Sequence, residues 1–214
     1  MARPQQPLIT RDLAIKSALE IIDEDGIDGL SLERLATKLG VKAPSLYYHF
    51  DGKADILNEV ARLITFDVRV PAEPADGDWP EWFVEISTRF RRSVLRHPRA
   101  APLLVQFFPR RFTLSTYERV AAMMTQSGVP RELHALIFQG LDKLTFGSAL
   151  LTATALIQGN DELFPGLDPE RDPELLKAVE ANPYNDEALF QEAVRSFVRG
   201  AVQVTVKATS AVRP

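Results

Sequence analysis

Two tyrosines and a histidine stand side by side at 47–49, near the end of the run SLERLATKLGVKAPSLYYHF that spans residues 31–50. Phenol and imidazole groups on a solvent-facing turn can hydrogen-bond the phosphates of a nucleic acid. Ala43 and Pro44, just before them, can touch thymine methyl groups. The alternative is that both tyrosines pack on neighbouring helices as ordinary core residues. The residue types favour contact with double-stranded DNA.

The same run has the pattern of a helix-turn-helix. Ser31 can cap a helix, Ala36 is the small residue needed where two helices cross, and Gly40 allows a tight turn between them. Five apolar side chains can close a small core: Leu35, Leu39, Val41, Leu46 and Phe50. The pattern leaves six residues of the second, short helix facing outward: Lys42, Ala43, Ser45, Tyr47, Tyr48 and His49.

Charge is distributed unevenly along a chain with 25 Lys+Arg and 29 Asp+Glu. Residues 31–53 carry four basic side chains against two acids, and residues 161–192 carry ten acids against two basic side chains. Residues 86–117 contain seven arginines and no acid. Three interpretations of these arginines stay open: an entrance for an acidic ligand, attraction to DNA, or a solvated helix surface.

The composition excludes several classes of protein. The 214 residues contain no cysteine, which removes disulfide scaffolds, thiol nucleophiles and Cys-ligated metal sites. No apolar run approaches the roughly 20 residues that span a bilayer, and no signal-peptide pattern is present. We expect a cytoplasmic protein without a membrane partner.

Apolar residues recur at helical spacing nearly throughout, so the expected fold class is all-α. Three helices before about residue 50 form the helix-turn-helix domain, 1–53, and a linking helix extends it to about 66. Residues 67–214 form a second domain for ligand binding and dimerisation. Within it we expect helices at about 81–96, 99–108, 113–127, 131–157 and 186–208, with a polar loop over 159–185.

Residues 10–64 closely resemble the DNA-binding domain of the TetR family of bacterial transcriptional regulators. The resemblance rests on Ala18-Leu19, Gly26-Ile27, Gly29-Leu30-Ser31, Leu35-Ala36, Leu39-Gly40-Val41, Pro44-Ser45-Leu46-Tyr47, His49-Phe50 and Lys53. It implies DNA contacts at Ser31, Lys42, Ala43, Pro44, Ser45, Tyr47, Tyr48, His49 and Lys53. Ala43 stands where tetracycline repressors carry a glutamine, so a different operator is expected.

Two long C-terminal helices are expected to pair with those of a second copy. In the first, Leu133, Ile137, Gly140, Leu144, Gly147 and Leu151 recur at 4-3-4-3-4 spacing, typical of a helix–helix seam. The expected homodimer interface comprises Leu144, Gly147, Leu151, Phe197, Gly200 and Val204. The alternative is a seam within one chain.

An aromatic-rich middle indicates an apolar effector pocket, although a plain core would use the same residues. The expected effector-binding residues are Phe66, Trp82, Ile86, Phe90, Leu104, Phe107, Phe108, Met123, Phe138, Gln139 and Asp142. The family resemblance implies that Leu104 replaces the histidine with which tetracycline repressors hold a magnesium–drug chelate. We therefore expect no metal, no cofactor and an effector other than tetracycline.

Together these features predict a ligand-responsive transcriptional regulator, most simply a repressor that binds a palindromic operator as a homodimer and is released by a small apolar molecule. We expect no enzyme, because no Ser-His-acid signature, phosphate-binding Gly loop or metal cluster is found. One alternative remains an interaction protein, or orphan regulator, whose helix-turn-helix no longer recognises a specific operator.

Overall fold

A computed structural model describes residues 9–66, 71, 78–107, 110–160 and 162–211 of the 214-residue chain. All regular structure within these residues is helical, with no strand among them, which confirms the all-α prediction. The α-helices are α1 Arg11–Asp25, α2 Leu32–Lys38, α3 Lys53–Phe66, α4 Trp79–Leu95, α5 Leu103–Gln106, α6 Arg110–Gln126, α7 Arg131–Gln158, α8 Pro173–Glu180 and α9 Asp186–Ala211. Short 3-10 helices span Ile27–Gly29, Ala43–Tyr48 and Pro98–Ala100.

Helices α1 to α3 form the head, and their ends follow from local sequence signals. Thr10 Oγ1 accepts a hydrogen bond from the Leu13 amide at 3.1 Å and caps α1. Ser31 Oγ accepts from the Arg34 amide at 3.1 Å and caps α2. Each cap satisfies an amide that the first helical turn leaves without a backbone partner. Gly40 has a φ of 67°, a left-handed conformation that costs a glycine little, and it ends the turn after α2.

The recognition segment, Ala43–Tyr48, is a 3-10 helix rather than the α-helix implied by a helix-turn-helix. The Ser45 amide donates to the Lys42 carbonyl and the His49 amide donates to the Leu46 carbonyl, both at 2.9 Å. Proline near its start and a length of six residues suit a 3-10 helix, which occurs mostly in short pieces. The segment is therefore short and is held in place by its neighbours.

Helices α4 to α9 form the body, and two apolar clusters hold the molecule together. The first cluster contains the head core and continues into the body through Val94, Ala100, Leu103 and Leu104. The second lies among α4, α6, α7 and α9. Because the head core crosses the expected boundary at residue 66, head and body share buried contacts. The domain limits stay a prediction.

The body departs from the expected helices in two places. The expected helix at 99–108 is a 3-10 helix followed by the four-residue α5, because Pro98 and Pro102 interrupt the helical hydrogen bonds. The expected loop at 159–185 contains α8. Pro173 begins this helix, and at the first helical position the missing amide costs nothing. The prolines of this stretch were therefore wrongly interpreted as evidence for a loop. No helix in the described residues is long and apolar enough to cross a membrane.

Candidate DNA interface and effector site

The small core under the recognition segment is present as predicted. Leu35 and Leu46 are fully buried, and Phe50 is 2% exposed. Ala36 is also buried, and its carbonyl accepts a hydrogen bond from the Val41 amide at 2.9 Å, which fixes the turn between α2 and the recognition segment. The small side chain at 36 lets the two elements pack closely, so the segment has a defined position on the head.

Tyr47 and Tyr48 lie on the surface, where they are 60% and 89% exposed. The alternative that they pack as core residues is wrong. Lys42 and Pro44 are also exposed. The other residues of this region that were predicted to face outward are partly buried: Ala43, Ser45 and His49. Two large aromatic rings in water, on an element whose base is closely packed, form an exposed patch that a partner can cover.

Ser31 and Lys53 already have contacts within the head. Ser31 Oγ accepts the capping hydrogen bond, and its hydroxyl proton remains able to donate. Lys53 Nζ donates to the Ile27 carbonyl at 3.2 Å, which uses one of the three protons of the ammonium group. Both groups can therefore donate to a phosphate while they keep their structural contacts.

Acidic side chains of α1 neutralise part of the positive charge of residues 31–53. Arg34 pairs with Asp25, and Lys38 pairs with Glu20 and Glu24 of α1. The hydrogen bond that Lys38 donates to the Glu20 carboxylate raises the pKa of Lys38. Lys42 has no ion pair or hydrogen bond of its side chain within the described part of the chain. It is thus the cation of this region most available to a phosphate.

The arginines on and after α4 bind acids and carbonyls of the same chain. Arg89 pairs with Glu85, and Arg92 makes two hydrogen bonds to the Glu187 carboxylate at 2.6 and 2.5 Å. Arg99 donates to the Glu24 carbonyl at the end of α1. These contacts stabilise the fold, and they give Arg89, Arg92 and Arg99 partners within the chain; the interpretation of the whole run stays a prediction. The side chains of residues 110 and 111 lie outside the described residues.

Arg91 is buried and connects three helices, a structural role that was not predicted from the sequence. Its side chain is 2% exposed, and its Nε donates to Ser148 Oγ at 2.8 Å. Its Nη2 donates to Thr152 Oγ1 at 2.8 Å and pairs with the Asp186 carboxylate. The guanidinium also lies over the Phe190 ring, 5.2 Å from its centre. Helical spacing from Val84 through Thr88 to Val94 puts position 91 on the buried face of α4, which was the available signal.

The expected effector residues fall into two groups rather than one. Trp82 and Met123 are buried in the second cluster, with Ile86 and Phe138 packed against it. Leu104 is buried in the first cluster, with Phe90 and Phe107 packed against it. Gln139 is exposed. The Phe66 side chain and Phe108 lie outside the described residues.

Asp142 is half-buried and bound to a tyrosine that sequence reasoning missed. The Tyr117 hydroxyl lies 2.8 Å from both carboxylate oxygens of Asp142 and donates to the carboxylate. The Tyr117 ring packs on Phe138, with 5.1 Å between ring centres. Burial raises the pKa of Asp142, and burial together with the Asp142 contact raises the pKa of Tyr117. This pair is a polar group beside an aromatic wall.

A cavity of about 550 Å³ opens between the end of α6 and the beginning of α7. Glu118, Thr125, Arg131 and His134 contribute to its polar lining. None of the expected effector residues lines it. His134 Nε2 lies 3.1 Å from the Val129 carbonyl, and its ring centre is 6.5 Å from that of Phe138. No group of three or more potential metal ligands occurs among the residues that the structure describes.

The expected dimer seam on α7 divides into two halves. Leu133 and Ile137 are buried in the second cluster, within one chain. A Cβ at Gly140 would lie 2.0 Å from Phe197 Cζ of the same chain. The first half, including this glycine, therefore serves the intrachain packing that the sequence left open as the alternative.

The second half of the seam is uncovered. Leu151 is 74% exposed and Leu144 is partly buried. A Cβ at Gly147, or at Gly200 of α9, would have no described atom within 4 Å. The side chain of Val204 lies outside the described residues. An exposed leucine and an open glycine on α7, and an open glycine on α9, leave room for another helix to approach closely.

The helix-turn-helix with its exposed aromatic end, on an all-helical body, defines a DNA-binding transcription regulator. Residues 14–60 match the family model of bacterial regulatory proteins of the TetR family, and residues 70–199 match the tetracycline repressor-like C-terminal domain. The chain belongs to the TetR family.

Individual relatives agree with this assignment. The class D tetracycline repressor of Escherichia coli is 29% identical over 201 residues, which cover 92% of this chain and 91% of that protein. An HTH-type transcriptional regulator of Saccharopolyspora erythraea is 36% identical over 98 residues, 46% of this chain and 41% of that protein.

Solved structures show the same fold. TetR of Acinetobacter baumannii AYE has a TM-score of 0.74 at 20% identity and covers 92% of this chain and 98% of its own. ActR of Streptomyces coelicolor in complex with (S)-DNPA has a TM-score of 0.70 at 25% identity and covers 91% and 98%. The protein is a DNA-binding regulator and not an enzyme, as the sequence predicted.

Proposed function

We propose that the protein is a ligand-responsive repressor that binds a palindromic operator as a homodimer and is released by a small, largely apolar molecule. The observation that carries the proposal is the exposure of Tyr47 and Tyr48 on an otherwise closely packed head. Support also comes from the relatives, which include tetracycline repressors by name and an ActR structure with a bound small molecule.

The DNA contacts divide into phosphate and base contacts. Lys42, Lys53 and Ser31 have free donors for phosphates. Tyr47, Tyr48 and His49 extend from the end of the recognition segment and reach the major groove, with Ala43, Pro44 and Ser45 close to the base edges. Ala43 cannot hydrogen-bond a base through its side chain, so we expect an apolar contact there, such as a thymine methyl group.

A homodimer supplies two heads for one operator. Leu151 and Gly147 of α7 and Gly200 of α9 are open positions at which helices of a second copy would pack. Leu144 and Phe197 of the same helices would contribute, and Phe197 also packs against Gly140 within the chain. We include Val204 in the proposed interface. A two-fold axis through this interface presents two recognition segments to half-sites about 34 Å apart, so the operator is a palindrome.

The effector site that we propose lies among the aromatic residues of the body. The Tyr117–Asp142 pair would be its polar anchor, and Phe138 would be part of its apolar wall. A small molecule can shift the regulator only by binding one conformation more tightly than the other. A near-complete change requires a difference of about 5.5 kcal/mol.

The shared apolar cluster would transmit the change. Val94 and Leu104 of the body are buried with the head core, and Ser93 Oγ donates to the Ile64 carbonyl at 2.7 Å. A displacement of α4 by the effector would therefore move α3 and the recognition segment with it. In a dimer, this changes the spacing between the two heads.

The test is selection of bound fragments from sheared DNA of the source organism, followed by sequencing. We expect enrichment of one palindrome, and its loss when Tyr47 and Tyr48 are both replaced by alanine. A double variant at Leu13 and Leu114, two exposed leucines outside the recognition segment, is the control. Enrichment that is diffuse and equal for wild type and the tyrosine variant would contradict the proposal and favour the orphan regulator.

A further inference from the structure

Arg11, the first residue of α1, contacts the three parts of the head that meet at the end of the recognition segment. Its Nη1 donates to the His49 carbonyl. Its Nη2 lies 3.1 and 3.3 Å from the Asp55 carboxylate oxygens and 3.2 Å from Glu59 Oε1. Its guanidinium carbon lies 4.6 Å from the centre of the Phe50 ring. One side chain thus connects α1, α3 and the residue that follows Tyr48.

The end of the recognition segment needs such a contact because its own side chains do not fix it. Tyr47 and Tyr48 face solvent, and the Asp51-Gly52 turn follows at once, with a φ of 140° at Gly52. The buried side chain of Leu46 anchors the middle of the segment in the core, and the buried side chain of Phe50 anchors the chain two residues after the segment ends. The Arg11 hydrogen bond to the carbonyl of His49 fixes the backbone between these two anchors.

The charge of Arg11 is balanced inside the head. Asp55 and Glu59 of α3 both pair with its Nη2, and Asp55 also accepts a hydrogen bond from the Asp51 amide at 3.2 Å. A guanidinium with two acids, a carbonyl and an aromatic ring as partners has little capacity left for a phosphate. Its fork of donors suits several fixed acceptors at once, which a lysine cannot match.

We propose that Arg11 is a positioning residue for DNA readout. It holds the exposed end of the recognition segment, Tyr47 and Tyr48, together with the adjoining His49, at the angle at which these side chains meet the bases, without contacting DNA itself. The proposal rests on the operator binding proposed above, and it assigns the discrimination between sequences partly to a residue outside the helix-turn-helix.

Arg34 provides a matched control. Its side chain is 39% exposed, against 42% for Arg11, and it also pairs with acids, Asp25 and Glu24, and donates to a backbone carbonyl, that of Gly29. It lies on α2, where it binds the C-terminal end of α1, and among the described residues its side chain makes no hydrogen bond or ion pair with the recognition segment. A purely structural loss should therefore be similar for the two arginines, whereas a positioning loss should be specific to Arg11.

The experiment compares wild type with Arg11→Ala, Arg11→Lys and Arg34→Ala. Affinity is measured for the selected operator and for a scrambled duplex over a range of salt concentrations, and the melting temperature is measured for each variant. For Arg11→Ala we expect the operator-to-scrambled affinity ratio to fall at least tenfold with an unchanged salt slope. Arg11→Lys should recover part of this ratio, and Arg34→Ala should change it less than twofold at a similar melting temperature.

Hydrogen exchange of the His49 and Phe50 amides, both bound to the Leu46 carbonyl, gives a second measurement that needs no DNA. Exchange should accelerate in Arg11→Ala and not in Arg34→Ala. A salt slope reduced by about one unit would make Arg11 a phosphate contact and overturn the proposal. An unchanged affinity ratio, or an equal loss in Arg34→Ala, would also overturn it.

The two proposals can fail separately. Wild type that prefers no duplex contradicts operator binding, and exchange then decides for Arg11: unaltered His49 and Phe50 amides overturn its role, and accelerated ones support it.

Discussion

The head and the body are both helical, but contacts of different range hold them. In the head, the caps of α1 and α2 join residues three apart in sequence, and one glycine closes the turn after α2. In the body, Arg91 reaches Asp186, 95 residues away, and Gly140 receives Phe197 from another helix. Local contacts can be inferred from a sequence, and distant ones depend on how helices pack.

The surfaces differ in the same way. Among the described residues of the head, the exposed large apolar side chains are Leu13 of α1 and Tyr47 and Tyr48 of the recognition segment. The base of this segment is fixed, so the position of the two tyrosines is defined before any partner binds. The exposed apolar side chains of the body are spread over several elements, with Leu151 on α7 and Leu175 on α8. A small, preformed surface suits recognition of a base sequence, and a long face of small and apolar residues suits helix pairing.

The largest effect that we expect comes from a long-range contact of the body. Asp186→Ala removes the acid that pairs with the buried Arg91. In the variant, Arg91 still donates hydrogen bonds to the hydroxyl groups of Ser148 and Thr152. We expect the free energy of unfolding to fall by about 2 kcal/mol, because the buried Arg91 loses the acid that balances its charge, while the 61% exposure of Asp186 lets solvent screen part of the interaction. Urea denaturation measures the change.

Glu187→Ala is the control for this prediction. It breaks the neighbouring ion pair with Arg92, whose side chain is 58% exposed. Solvent screens that pair, so the loss should stay below about 1 kcal/mol. Equal losses for the two variants would mean that the burial of Arg91 does not make its ion pair more stabilising than the exposed one. Long-range contacts would then matter less for the body than the comparison with the head implies.

The second effect separates the two halves of the α7 seam. Gly147→Leu should weaken the proposed homodimer at least tenfold, because a leucine there occupies the space in which a second helix would approach. Light scattering over a range of protein concentrations gives the mass. An unchanged dissociation constant would place the interface elsewhere.

Gly140→Ala is the matched variant within the chain. Its new methyl group would meet the Phe197 ring, so we expect a lower melting temperature. The dimer dissociation constant should change less than it does in Gly147→Leu. A larger loss of dimer in Gly140→Ala would show that the first half of the seam also forms the interface.

These contrasts show how much could be predicted from the sequence. The helix-turn-helix, its small core and the exposure of Lys42, Tyr47 and Tyr48 followed from the local pattern around Ser31, Ala36 and Gly40, because short-range geometry determines them. Arg11 was missed in the same region, because its partners lie 38 to 48 residues away. In the body most helices were found, although α8 was predicted as a loop. The 4-3-4 spacing on α7 could not distinguish a partner helix from α9, since both demand the same pattern.

A third, smaller effect tests the polar anchor of the body. Tyr117→Phe removes the hydroxyl that donates to Asp142, and we expect a loss of about 1 kcal/mol in the free energy of unfolding at neutral pH. Burial already raises the pKa of Asp142 in the folded protein. The stability that this group contributes is therefore greatest below its unfolded pKa, and it is lost as the pH rises through its folded pKa.

Without the tyrosine, the pKa of Asp142 should rise further and the loss should grow with pH. Urea denaturation of wild type and Tyr117→Phe at acidic and neutral pH measures this trend. Asp142→Asn carries no titrating group and should abolish the difference in pH dependence. A loss in Tyr117→Phe that is the same at both pH values would mean that the hydroxyl does not act on the carboxylate.

The smallest expected effect concerns Lys53, because its ammonium group already binds the Ile27 carbonyl within the head and has, in addition, a proposed contact with a DNA phosphate. Lys53→Ala should weaken binding to operator and scrambled duplexes alike and reduce the slope of log affinity against log salt by about one unit. Lys38→Ala is the control, since Glu20 and Glu24 already balance that ammonium group. Equal salt slopes for wild type and Lys53→Ala would restrict Lys53 to its bond with the Ile27 carbonyl. The phosphate contacts of the head would then come from Lys42, the recognition segment and Ser31, which would confine the DNA interface to residues 31–49.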